Sequence, residues 1–355
     1  MIYLKAYTRL NLGDDLLIKE VCERYKNDKI YILADKKYKK VFKKYKNLKV
    51  MSFFNKIINK NKGKDYSKYI KIKNKILKYI SKKCDTFLYI GGSIFIESSS
   101  TSLMRVKELK EEINMFKKSY IIDSNFGPYT SDEYFNYIHS QLIPSLTHIT
   151  FRDLYSYNLF KDQKNVSYAP DVIFSKDKDF IVSDRKKEIG ISLVHHLERK
   201  ELKNNYDKYL LNISKLAINY INNGFKVRIL SFCSYEKDIT AIEDFIKKIP
   251  LEYREDVVVD YYSGNIDEFL KIISGLDTVI ATRFHAIVLG LKYCCNVISI
   301  CYSNKAINML NDLDIKEYVD FKNIDKLNSI KMTKFNEKRI KEISKLSDNH
   351  FKNFK

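Results

Sequence analysis

At 355 residues the chain is long enough for two ordinary domains, each with its own core. Its hydrophobic content of 45% is that of a globular protein, and no apolar run is long enough for a membrane-spanning helix. The net charge of +20 comes from lysine, read as spread through the chain beside only ten arginines. The codon usage of an AT-rich genome accounts for that, and no clustered-arginine nucleic-acid module is visible, so no nucleic-acid partner is expected.

The N-terminus, MIYLKAYTRL, lacks a charged segment ahead of an apolar core, so it does not read as a secretory signal and a cytoplasmic location is expected. Strands are predicted at 2–7, 29–34, 49–53, 86–90, 120–123 and 148–152. Helical spacing fills the gaps, as at Leu16, Leu17, Val21 and Tyr25. Residues 55–75, rich in Lys and Asn, read as a mobile loop leading into a helix. A charged, weakly periodic stretch at 175–187 marks a domain boundary. Beyond it strands are predicted at 189–194, 227–232, 257–261, 278–281 and 297–301, again with helices between them. The tail, 334–355, reads as an amphipathic helix with Ile340, Ile343 and Leu346 on one face.

Such alternation predicts parallel sheets in doubly wound α/β domains. The expected division is an N-terminal domain at 1–178, a C-terminal domain at 187–333, and a last helix at 334–355 that packs back toward the first domain. The two halves are expected to face each other across a cleft, with ligand-binding loops at the carboxyl ends of the strands.

The most informative stretch is ATRFHA at 281–286, followed by Lys305. It sets Arg283 and His285 two residues apart where a strand gives way to a helix. Arg is the preferred fork for phosphate or carboxylate, a helix N-terminus favours anions, and His titrates near neutral pH. Together they predict a site for a small anion whose chemistry needs proton transfer.

Other motifs follow strands. Asn11 and Gly13 of NLGDD permit a tight turn, and Asp14 or Asp15 reads either as a helix cap or as a carboxylate that accepts a proton. Gly91, Gly92 and Ser93 let backbone approach a ligand, but without Walker or GxGxxG spacing they support no nucleotide claim. Arg152 reads as a cleft cation or as a surface partner of Asp153, which can cap the helix holding Ser156. Asp171 can pair with a basic group. His195 and His196, adjacent at a strand end, are expected to face opposite ways. His139 and His148 read as ordinary surface or packing residues. The six cysteines have no CxxC spacing and read as buried thiols, so no metal site is expected.

Taken in order, NLGDD (11–15), GGSIF (91–95), FRDLYS (151–156), APD (169–171), ATRFHAIVLGL (281–291) and YSNKAINMLNDL (302–313) make the chain resemble the polysaccharide pyruvyl transferase family over most of its length. The resemblance implies a GT-B-like fold of two facing Rossmann-like domains. It implies transfer of a pyruvyl group from phosphoenolpyruvate to two hydroxyls of a sugar, forming a ketal in a polysaccharide or cell-envelope glycan precursor. No cofactor beyond that donor is implied. Arg152, Arg283 and Lys305 match the family's basic positions, and His285 matches its histidine. Asp14 or Asp15, on the loop that ends the first strand and so expected to face the cleft opposite His285 and act on the acceptor, is the second proton-transfer candidate. GGSIF departs from relatives that carry a third glycine, which bears on the acceptor side.

The acceptor the resemblance implies is a sugar or a lipid-linked saccharide, and the latter would give the lysines a peripheral role at the membrane surface; a homo-oligomer is compatible with either. The alternative is a GT-B glycosyltransferase with a nucleotide-sugar donor, for whose ribose Asp260 or Glu268 would serve. A binding module that has lost turnover is the third reading, and retention of Arg152, Arg283, His285 and Lys305 together argues against it.

Overall fold

A computed structural model describes residues 1–61, 66–175, 185–197 and 200–354. Most of the boundary segment expected at 175–187 lies outside the described residues, from 176 to 184. The chain divides into two compact units. One comprises Met1–Thr8, Leu16–Val172 and Leu346–Lys355; the other comprises Arg9–Asp15 and Ile173–Lys345.

In the first unit, strands β1 (Ile2–Lys5), β2 (Ile30–Ile32), β3 (Leu48–Val50), β4 (Thr86–Ile90), β5 (Lys118–Ser124), β6 (His148–Phe151) and β7 (Val166–Tyr168) pair in the order β3-β2-β1-β4-β5-β6-β7. Every pairing is parallel. Parallel strands are covered on both faces by crossover helices. That is why the central strands read as apolar runs rather than alternations: Ile2, Tyr3, Leu4, Phe87, Leu88, Ile121 and Ile122 are all buried.

The second unit repeats the logic with β8 (Lys186–Ser192), β9 (Lys226–Ser231), β10 (Val257–Tyr261), β11 (Leu276–Ala281), β12 (Asn296–Cys301) and β13 (Val319–Asp320). Their order, β10-β9-β8-β11-β12-β13, is the Rossmann order, with the reversal between β8 and β11. Helix Tyr206–Asn222 buries Tyr209, Leu210, Ile213 and Ala217 against this sheet. Each large aliphatic side chain so buried contributes roughly 1.5–3 kcal/mol.

Sequence periodicity located eleven of these strands and missed β7 and β13, which are too short to show a pattern. The expected loop at 55–75 is corrected: helices Ser52–Asn61 and Tyr66–Ser81 occupy most of it. Lysine is a good helix former, and Ile58, Ile76, Leu77 and Ile80 give the pair a buried side. The histidine pair is corrected too. His195 and His196 lie beyond the end of β8, where strand alternation no longer applies, and both rings pack on Tyr206.

The tail forms helix Glu337–Ser347, which buries Ile340 and Ile343 but leaves Leu346 exposed. It groups with the second unit as far as Lys345. Only the last ten residues pack with the first, through Phe354 on Tyr25 and Tyr120 at 4.8 and 4.7 Å. All six cysteines are free and buried.

Candidate active site

Within the second unit, the carboxyl ends of β8, β9, β11 and β12 carry the polar residues. The strand-order reversal between β8 and β11 makes the flanking loops diverge, and open α/β sheets bind ligands at such a point. Here Ser192, the last residue of β8, accepts hydrogen bonds through Oγ from the backbone N–H groups of Thr282 and Arg283 at 3.1 and 3.2 Å. That ties down the turn from β11 into helix Phe284–Lys292. Arg283 stands in extended conformation at the position just before this helix, so His285 falls in its first turn.

Arg283 does not stand open for an anion. Its guanidinium binds Glu236 through Nη1 at 2.5 Å and pairs through Nη2 with Asp238. Asp238 is buried, and its other oxygen accepts from the backbone N–H groups of Phe232 and Cys233 at 2.7 and 2.8 Å. Arg283 thus cross-links the loop after β9 to the start of the helix after β11. Glu236 and Asp238 are functional-site residues that sequence reasoning missed. Both lie just past a predicted strand end, and that was the available signal.

The NLGDD loop belongs to this unit, not to the first as its sequence position implied. Leu12 donates its backbone N–H to the carbonyl of Phe232 at 3.1 Å. Asn11 accepts from Gly13 N–H at 3.0 Å and donates through Nδ2 to Glu236 at 3.2 Å. Asn11 is therefore the cap of helix Leu12–Arg24, a role expected of Asp14 or Asp15. An added Cβ on Gly13 would fall 1.7 Å from Nδ1 of His285, so the imidazole rests directly on the glycine.

The two aspartates separate. Asp15 is fully buried, and Tyr262 donates its hydroxyl to it at 2.6 Å. Asp14 is half-buried. Lys305, in the first turn of helix Asn304–Asp312, is half-buried and lies 5.5 Å above the ring of Phe284. The structure thus gathers Asn11, Gly13, Asp14, Arg283, His285 and Lys305 in one unit.

Gly91, Gly92, Ser93 and Arg152 lie in the first unit. Arg152 is buried, and its guanidinium binds Asp171 at 2.9 Å and Asn125 at 3.0 Å, with Asp123 at 3.6 Å. Of the two readings of Arg152 the surface one does not hold, because the residue is buried; Asp153 caps helix Leu154–Phe160, as its sequence position allowed, by accepting from Ser156 N–H at 2.7 Å. Gly92 is required because a Cβ there would meet Nη2 of Arg152 at 2.1 Å. Gly91 sits beside it at φ +152°, and Ser93 is exposed. Asp123 adopts φ +65°, which costs a non-glycine residue about 1 kcal/mol. In return its carboxylate reaches the N–H of Val172 at 2.8 Å.

His350 completes this cluster, and no sequence signal singled it out. Its Nε2–H donates to the carbonyl of Pro170 at 2.9 Å, and burial, with the nearby guanidinium of Arg152, pushes the imidazole down to about 3. A depressed folded pKa means that the unfolded chain binds the proton first as pH falls, so stability drops below the unfolded value. Acidification from about pH 7 to about pH 5 is expected to cost about 2 kcal/mol through this group alone. Denaturant melts of His350→Gln should lose that part of the pH dependence; an unchanged slope would remove His350 as its source.

The packing of Gly13 on His285 yields a second expectation. Gly13→Ala must shift the imidazole, and a misplacement of about 1 Å costs ~100-fold in turnover. Ala is favoured by about 1 kcal/mol over Gly in a helix, which offsets part of the roughly 1–3 kcal/mol of overpacking, so the protein should still fold. Full activity in Gly13→Ala would show that the position of His285 is unimportant.

Among the described residues no three His, Cys, Asp or Glu side chains are grouped to share a metal ion. A family model described as polysaccharide pyruvyl transferase matches residues 11–304. No curated protein matches the chain. Solved structures similar to it include the UDP-GlcNAc 2-epimerase of Neisseria meningitidis bound to UDP-GlcNAc, at 10% identity and a TM-score of 0.58 over 99% of both chains. The UDP-GlcNAc 2-epimerase of Methanocaldococcus jannaschii aligns at 10% identity and a TM-score of 0.57, over 97% of this chain and 98% of the other. HepE of Anabaena, in complex with UDP and glucose, aligns at 9% identity and 0.52, over 99% and 95%. At such identities the likeness speaks for fold alone: two Rossmann-like units of the GT-B class.

Proposed function

The chain belongs to the polysaccharide pyruvyl transferase family, and from that premise we propose that it moves the pyruvyl group of phosphoenolpyruvate onto two hydroxyls of one sugar in a glycan precursor, forming a ketal and releasing phosphate. The observation that carries this reading is His285, held on Gly13 in the first turn of a helix at the strand-order reversal, with Lys305 on the neighbouring helix start. The matched span includes both the NLGDD loop and the helix that carries His285.

The chemistry needs two stages. A proton adds to the methylene carbon of the enol as one sugar oxygen bonds to the adjacent carbon, giving a tetrahedral phospho-ketal. The second sugar oxygen then bonds to that carbon as the C–O bond to phosphate breaks. Two hydroxyl protons are lost; one balances the proton gained by the methyl group and the other leaves with phosphate or buffer. His285 is assigned proton transfer at the enol carbon, where a positioned imidazole is effective near neutral pH. Asp14 is assigned the hydroxyl proton, because Asp15 is buried against Tyr262 and out of reach of a sugar. Lys305 is assigned the donor's anionic groups as a point charge. Arg283 acts on the donor indirectly, by holding the helix whose first turn carries His285.

Donor choice is tested by thermal shift. Phosphoenolpyruvate at ~100 times its Kd should stabilise the protein by roughly 2.7 kcal/mol, and a nucleotide sugar should not. The reverse result would replace this reading with a glycosyltransferase. Lys305→Ala should weaken phosphoenolpyruvate binding by roughly 10- to 100-fold, the loss expected for a charge-assisted hydrogen bond. An unchanged affinity would remove Lys305 from the donor site.

A further inference from the structure

The positive charge of this chain is concentrated, which corrects the reading of its lysines as scattered by codon usage. Residues 36–83 hold 19 lysines, no arginine and one acidic residue, Asp65, and so carry +18 of the chain's net +20. All of this segment belongs to the first unit. Its lysines with described side chains are exposed, apart from Lys73, which is half-buried and paired with Glu108 at 2.8 Å and Glu112 at 2.5 Å.

Helix Tyr66–Ser81 contains no acidic residue. Lys68, Lys71, Lys75 and Lys78 recur along it at three- and four-residue spacing, so they form one exposed stripe. Like charges at that spacing repel. Beside it opens a pocket of about 220 Å³ whose lining includes Tyr31, Lys39, Lys49, Phe53, Tyr79 and Lys83. Phe53, in the first turn of helix Ser52–Asn61, is 71% exposed, and Tyr79 is 46% exposed.

Lysine without arginine and aromatic side chains at the rim together fit one kind of partner. Nucleic-acid readers rely on the arginine fork. An anionic lipid surface attracts lysine as a point charge, and aromatic rings settle at the headgroup level. Among the described residues no helix is long and apolar enough to cross a membrane, so attachment would be to one face. We propose that this face docks on a bilayer rich in anionic phospholipid. Phe53 enters the acyl boundary, a headgroup phosphate occupies the pocket between Lys39, Lys49 and Lys83, and the lysine stripe lies along the surface. Docking of this kind requires nothing of the reaction proposed above.

Co-sedimentation of the full chain with vesicles tests it. Binding is expected to vesicles of equal parts phosphatidylcholine and phosphatidylglycerol, to weaken in high salt, and to be absent with phosphatidylcholine alone. Replacing Lys68, Lys71, Lys75 and Lys78 by Gln should lower binding ~5-fold per lysine, and Phe53→Ser about 10-fold. These positions are exposed, so an unchanged melting temperature will verify the fold of both variants. Equal binding to neutral vesicles, no binding to either kind, or undiminished binding by the four-lysine variant would overturn the proposal. So would tighter binding of an oligonucleotide than of anionic vesicles at the same salt, which would reassign the patch to nucleic acid.

Discussion

On the proposed function, His285→Ala is expected to lower the turnover of pyruvyl transfer by ~100- to 10,000-fold and to leave stabilisation by phosphoenolpyruvate largely intact. The split follows from the role proposed for the imidazole. A group that moves a proton acts in the transition state, so its loss falls on kcat. A group that only holds the donor contributes equally in the ground state, and its loss would fall on affinity. The imidazole lies against Gly13, at the start of a helix that Arg283 ties to Ser192, Glu236 and Asp238. It is thus pre-positioned by backbone and by a buried ion network. Measuring phosphate release at saturating donor, together with donor affinity, decides the case. Wild-type kcat with weakened affinity would move the proton-transfer role from His285 to Asp14 or Lys305.

Arg283→Ala is expected to damage the fold before it damages binding. Read from the sequence, Arg283 belonged to a site for a small anion. The structure engages it with Glu236 and Asp238, and Asp238 is buried. Removing the cation leaves two carboxylates facing each other in a poorly hydrated site, which typically costs 3–5 kcal/mol, or about 10 °C in melting temperature. The double variant Arg283→Met with Asp238→Asn should recover part of that loss, since the buried charge goes with its partner. The measurement is the melting temperature without ligand. An unchanged value, with only the phosphoenolpyruvate shift abolished, would return Arg283 to the role of donor ligand. The same reasoning covers Arg152, whose partners Asp123 and Asp171 are both fully buried.

The two arginines show where sequence reasoning stops. Their positions after strands and the chemistry of a guanidinium were legible, and they pointed to anions. That the anions of Arg283 are carboxylates of the chain itself was not, because Glu236 is 47 residues away; for Arg152 the sequence offered Asp171, 19 residues on, as the partner of a basic group without saying which one. Pairing over such distances depends on strand order, which no local pattern encodes.

What the amino-acid sequence alone determined was the class of fold and the family. Parallel strands buried on both faces must be apolar runs, and crossover helices must be amphipathic, so the alternation is written in local composition. The motif blocks from NLGDD to YSNKA likewise need only order and spacing. What the tertiary structure decided was which groups meet. Asn11 caps its helix and bonds to Glu236, Gly13 supports His285, Asp15 is buried against Tyr262, and the loop after β1 joins the second unit. Apart from the cap, which is local, each of these is a contact between segments remote in sequence. Such contacts arise when β8 and β11 come to lie side by side and their loops diverge, a consequence of global strand order rather than of any residue's own propensity.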